Sequence, residues 1–173
     1  MRQILFGLCV CASTTASHLP FSVISPTLRA PDAVASTAKP RTAFAFGGTL
    51  RSTETGDVVP PATLVVALTG NGVATHFGAF SVSIHSVVNL ATGAGEGTFV
   101  LNAANGDQIA GSVVGQATPT DNADFVTIEE TGTITGGTGR FAGASGEFTI
   151  ERTLNRPTGS SSGTLSGTII IAK

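Results

Sequence analysis

From Thr42 onward, short runs of β-branched and aromatic residues alternate with Gly, Asn and Asp at nearly regular intervals. That pattern predicts strands joined by tight turns. The runs fall near 42–51, 62–69, 72–88 (long enough to bend or split at Gly78), 96–104, 107–117, 125–135, 146–154 and 163–171, a tally of eight strands. Gly70-Asn71-Gly72, Asn105-Gly106-Asp107 and Thr158-Gly159-Ser160 supply residues that tolerate positive φ, as hairpin connections require. No stretch after residue 41 repeats with a helical period, which argues against a parallel βαβ sheet. Sequential hairpins predict an all-β, eight-stranded, antiparallel up-and-down β-barrel, whose closure leaves no strand edge open to other chains.

Alternate residues of a strand point to opposite faces, so parity singles out polar groups in apolar company. In 125–135 one face carries Val126, Ile128, Glu130, Gly132 and Ile134, and in 146–154 one face carries Phe148, Ile150, Arg152 and Leu154. Glu130 and Arg152 are thus expected in the lumen, where a charge is costly unless paired, so the plain expectation is an ion pair between neighbouring strands. The functional alternative is a polar spot in which Glu130 orients a substrate or moves a proton while Arg152 holds its carboxylate ionised. His76 shares a face with Ala74, Gly78, Phe80, Val82 and Ile84 and is the second candidate for proton transfer, whereas His85 faces the other way with Ser81 and Ser83. Phe44 and Phe46 of the first strand, with Phe99 and Phe148, occupy inward registers that suit either a ligand cavity or a packed core.

Composition narrows the field. The segment 42–173 holds five basic residues against ten acidic ones, a net charge of −5 with His neutral, and no basic stripe that would suit nucleic acid. Trp and Tyr are absent, which disfavours sugar binding by stacking. His18, His76 and His85 form no zinc-ligand pattern, no metal or cofactor is implied, and no GxSxG elbow is present. Gly137-Thr138-Gly139-Arg140-Phe141-Ala142 matches the loose GxGxxA form of a dinucleotide fingerprint, but a further Gly turn and a strand follow where a helix is needed. A turn with Phe141 tucked into the barrel end is the expectation there.

Residues 1–16 have the three-part order of a secretory signal: Met1-Arg2-Gln3, the apolar run Ile4 to Ala12, and small residues at Thr14 and Ala16 suited to cleavage after Ala16. The run is far shorter than the roughly 20 residues that span a bilayer, so no membrane span is expected in the mature form, which would be secreted or periplasmic. Cys9 and Cys11 lie inside the run and would leave with it, and Leu8 and Val10 stand where a lipoprotein site wants small residues. The stretch 17–41, rich in Pro, Ser and Ala, reads as a linker to a barrel domain at 42–173.

Ala74-Thr75-His76-Phe77-Gly78, Ala103-Ala104-Asn105-Gly106-Asp107 and above all Gly136 to Gly146 followed by a strand resemble the allene oxide cyclase barrel-like group, which includes dirigent-type proteins and many bacterial secreted proteins. The resemblance spans about 42–171. It implies a calycin-like eight-stranded barrel whose narrow apolar lumen, in characterised relatives, shapes the cyclisation or coupling of a small hydrophobic molecule, often in an oligomer. It transfers no catalytic residue: the plant cyclases use a Glu at the end of the first strand with Tyr and Cys, whereas this first strand reads Phe44-Ala45-Phe46-Gly47-Gly48 and the mature chain lacks both Tyr and Cys. Two readings follow. The first is a barrel that holds a small apolar ligand or acts as a non-catalytic scaffold. The second is an isomerase or cyclase with Glu130 or His76 as proton carrier.

Overall fold

The computed structural model describes residues 40–172; the expected signal at 1–16 and nearly all of the expected linker lie outside the described residues. Eight strands form one closed barrel in chain order, each antiparallel to its predecessor and β8 closing on β1. They are β1 (Arg41–Val59), β2 (Thr63–Ala74), β3 (Gly78–Asn89), β4 (Ala94–Ala103), β5 (Gln108–Pro119), β6 (Phe125–Gly137), β7 (Ser145–Asn155) and β8 (Ser160–Ala172). The eight-strand meander is therefore as the sequence pattern predicts. Most expected strands match an observed one within a few residues.

Two differences change what faces the lumen. β1 does not stop at Arg51 but runs on to Val59, because its polar half keeps a full ladder to β2 and, through Thr53, to β8. Gly70-Asn71-Gly72 is no turn: the three residues lie inside β2, where Gly70 stands opposite Ser52 and Gly72 opposite Leu50. A Cβ on Gly72 would run into the ring of Phe80 on β3, so the glycine is there to make room. The chain turns instead at 75–77, where His76 takes a left-handed φ of 61°. That break ends the parity that had put His76 on an apolar strand face.

The interior of an eight-stranded barrel is just wide enough for side chains to fill, and this one is filled by phenylalanine. Phe46, Phe77, Phe80, Phe99, Phe141 and Phe148 are all buried. Their rings meet edge to face, Phe46 on Phe148 at 5.4 Å and Phe99 on Phe148 at 5.1 Å between centroids, a geometry favoured by the ring quadrupoles. Rings of this size fit because glycines face them: a Cβ on Gly132 would lie 2.5 Å from Cζ of Phe148. The Gly-rich composition is in this respect a steric requirement of the core.

The segment after β6 closes one end of the barrel. A short 3-10 turn, Gly139–Phe141, sets Phe141 against Phe77 with centroids 4.8 Å apart. Arg140 ties the turn down by donating to the Phe77 carbonyl at 3.0 Å and pairing with Asp107 at 3.5 Å. Gly139, Gly143 and Gly146 have positive φ, so the GxGxxA match is a plug and not the mouth of a phosphate-binding helix.

Candidate functional site

The plugged end carries the connections after β2, β4 and β6, and the lumen beneath it is solid with phenylalanine. Toward the connections after β1, β3, β5 and β7 the inward positions carry smaller residues and the lumen opens into a chamber of about 460 Å³. Its walls are aliphatic, including Leu64, Val66, Val88, Val126, Ile128 and Leu154. That volume falls within the range of small-molecule sites, which are mostly apolar with a few placed polar groups.

The polar groups form the chamber's floor. Four strands that are consecutive around the barrel, β6, β7, β8 and β1, each supply an inward residue: Glu130, Arg152, Ser161, and Ser52 with Glu54. Arg152 holds Glu130 with two hydrogen bonds, Nε to Oε2 at 2.9 Å and Nη2 to Oε1 at 3.3 Å. Its Nη1 donates to Oε2 of Glu54 at 2.7 Å and to Oγ of Ser161 at 3.3 Å. Ser161 lies 2.7 Å from the hydroxyl of Ser52, its partner across the β1–β8 ladder. Glycines again clear the space: a Cβ on Gly115 would sit 2.6 Å from Cγ of Glu130, and one on Gly163 2.7 Å from Cβ of Arg152.

The Arg152 side chain is 4 % exposed and those of Glu130 and Glu54 are 9 % and 12 % exposed. Burial by itself would lower the pKa of Arg152. The hydrogen bond and charge of Glu130, followed by the charge and hydrogen bond of Glu54, outweigh that cost and raise it above the ordinary arginine value. One cation thus serves two carboxylates, and the floor carries a net charge of −1. Glu130 has both oxygens occupied by Arg152, whereas Oε1 of Glu54 accepts no hydrogen bond from the described residues.

The residues singled out in the sequence divide accordingly. Glu130 and Arg152 are buried and paired, as parity predicts. His76 is exposed at the plugged end, with its ring 5.0 Å from that of the half-buried Phe44, and does not reach the chamber. Phe46, Phe99 and Phe148 belong to the aromatic stack below the floor and Phe44 to its outer end; none of them lines the chamber. Glu54 is the residue that sequence reasoning missed. Its signal was present, since Ser52 and Glu54 continue the even-numbered register of Phe46 and Leu50 along one strand.

The closed eight-stranded antiparallel meander has a counterpart among solved structures. Among solved structures the chain is similar to the pterocarpan synthase dirigent protein GePTS1, with a TM-score of 0.52 and 12 % identity, the match covering 87 % of this chain and 99 % of that one. At that identity the likeness is one of fold. No protein-family model matches the sequence, and no curated protein does.

Proposed function

We propose that this is an exported barrel that binds one small, largely apolar molecule in its open half, head group on the Glu54–Arg152–Glu130 floor. The observation that carries the reading is the chamber itself: about 460 Å³ of aliphatic-walled space ending on a buried, hydrogen-bonded polar cluster, beside a half-lumen packed solid. Cores are normally filled to crystal-like density. Here the aliphatic side chains around the chamber are left without the covering that phenylalanine, used freely a few ångströms away, would have given them.

The test is saturable binding of a neutral apolar dye such as Nile red, compared with a variant whose chamber is filled. Ser86 is an inward residue of β3 that lines the chamber, and Ser86→Phe places a ring in that space. The dye should bind the parent chain at one equivalent and fail to bind Ser86→Phe, with the unfolding midpoint held or raised. Equal binding by both would overturn the proposal.

The cyclase reading has one observation in its favour, a carboxylate in the chamber. With Glu130 fully engaged by Arg152 and His76 at the far end, Glu54 is the group placed to exchange a proton with a bound molecule.

A further inference from the structure

We infer that the chamber selects its occupant by charge: it takes an amphiphile whose polar end is a protonated amine and rejects the matching carboxylate. The inference rests on the binding reading above and adds the chemistry of the head group. It follows from the hydrogen-bond inventory of the floor. Arg152 has five N–H groups, and four are committed: Nε and one of Nη2 to Glu130, and the two of Nη1 to Glu54 and Ser161. The hydroxyls of Ser161 and Ser52 are spent largely on each other and on the guanidinium. What the floor leaves uncommitted is mainly acceptor, above all Oε1 of Glu54, a residue that lines the chamber.

A carboxylate head group lowered onto this floor would bring a third anion to a site with one cation. A single N–H of Nη2 would remain to receive it, too few for the bidentate grip by which arginine holds carboxylates. Its desolvation would go uncompensated. An ammonium group reverses each of these conditions: it donates to Oε1 of Glu54 and offsets the residual negative charge. It also completes an alternating arrangement of two cations and two anions in a low-dielectric space where such pairing is strongest. A hydroxyl gains the hydrogen bond without the charge and should fall between the two. Two further charged residues line the chamber, Glu96 and Arg156. They cancel, so the net charge of the five titratable lining residues stays at −1.

The experiment uses the chain with decylamine, decanol and decanoate, which share one tail and differ in the head, each competing with Nile red below micelle-forming concentrations. Decylamine should bind at least about tenfold more tightly than decanoate, a difference of about 1.4 kcal/mol, with decanol between them. Glu54→Gln should abolish the preference for the amine over decanol, because the amide keeps the shape and loses the charge. Equal affinity for amine and carboxylate, or tighter binding of decanoate, would overturn the charge inference while leaving the binding reading intact. Failure of all three to compete, with the dye still displaced by Ser86→Phe, would refute the floor as a head-group site. Failure of the dye itself to bind would refute both readings.

Discussion

Removing Arg152 is the most informative single perturbation of this barrel. Arg152→Ala leaves Glu130 with both carboxylate oxygens unpaired and Glu54 without its 2.7 Å partner, all within a layer whose side chains are 4 to 12 % exposed. Breaking a buried pair by deleting one member costs about 3–5 kcal/mol. Water entering the chamber can rehydrate Glu54, which lines it, so the lower end of about 3 kcal/mol is expected, out of a total stability of about 5–15 kcal/mol. In urea, with a slope of about 2 kcal/mol/M, the midpoint should fall by about 1.5 M. The guanidinium's raised pKa means that its contribution is fully present at every pH below the ordinary arginine value, so the loss should be the same at about pH 6 and about pH 9. The double variant Arg152→Met with Glu130→Leu removes the stranded charge along with its partner and should recover most of the loss. A loss under about 1 kcal/mol for Arg152→Ala would show that the floor is solvated and does not depend on pairing. A double variant as unstable as the single would show that the cost lies in packing, and either result refutes the argument.

Other consequences of the structure are open to the same denaturation assay. Gly132→Ala pushes a methyl group into the buried ring of Phe148 and should cost about 1–3 kcal/mol, whereas Gly136→Ala, where a Cβ meets nothing within 4 Å, should be neutral or stabilising by up to about 1 kcal/mol. Phe148→Ala removes the ring at the centre of the aromatic stack and should cost about 3–5 kcal/mol; a smaller loss would mean that the stack collapses to fill the gap. On the outer wall Glu129 stands directly opposite Glu151, a like-charge pair, so Glu129→Lys should stabilise by a few tenths of a kcal/mol up to about 1 kcal/mol at low salt and less at high salt.

What could be read in advance depended on whether a residue lay within an uninterrupted strand. Glu130 and Arg152 were legible because alternation is unbroken around them, over 125–134 in β6 and 147–154 in β7, and their inward neighbours are unambiguously apolar. Glu54 was hidden because Ser52-Thr53-Glu54-Thr55-Gly56-Asp57 looks like loop. It is strand because the ladder to β2 continues through it, and its inward Glu54 need not be apolar because it lines the chamber. His76 was misplaced for the opposite reason: the turn at 75–77 uses an L-residue at positive φ, with the glycine delayed to Gly78. For the phenylalanines, parity gave burial but not depth. Depth along the barrel axis depends on the stagger between strands, which sets Phe46, Phe99 and Phe148 at one level and cannot be counted along any single run.

The aromatic plug also determines what kind of traffic this barrel can support. With Phe141 and Phe77 sealing one end and the Phe46–Phe148–Phe99 stack filling the lumen behind them, the barrel is a cul-de-sac and conducts nothing along its axis. A molecule that goes in head first must back out by the same door. On the binding reading proposed above, the tail would face the mouth throughout its stay, so the floor would judge the head strictly while tails of several lengths projected into solvent.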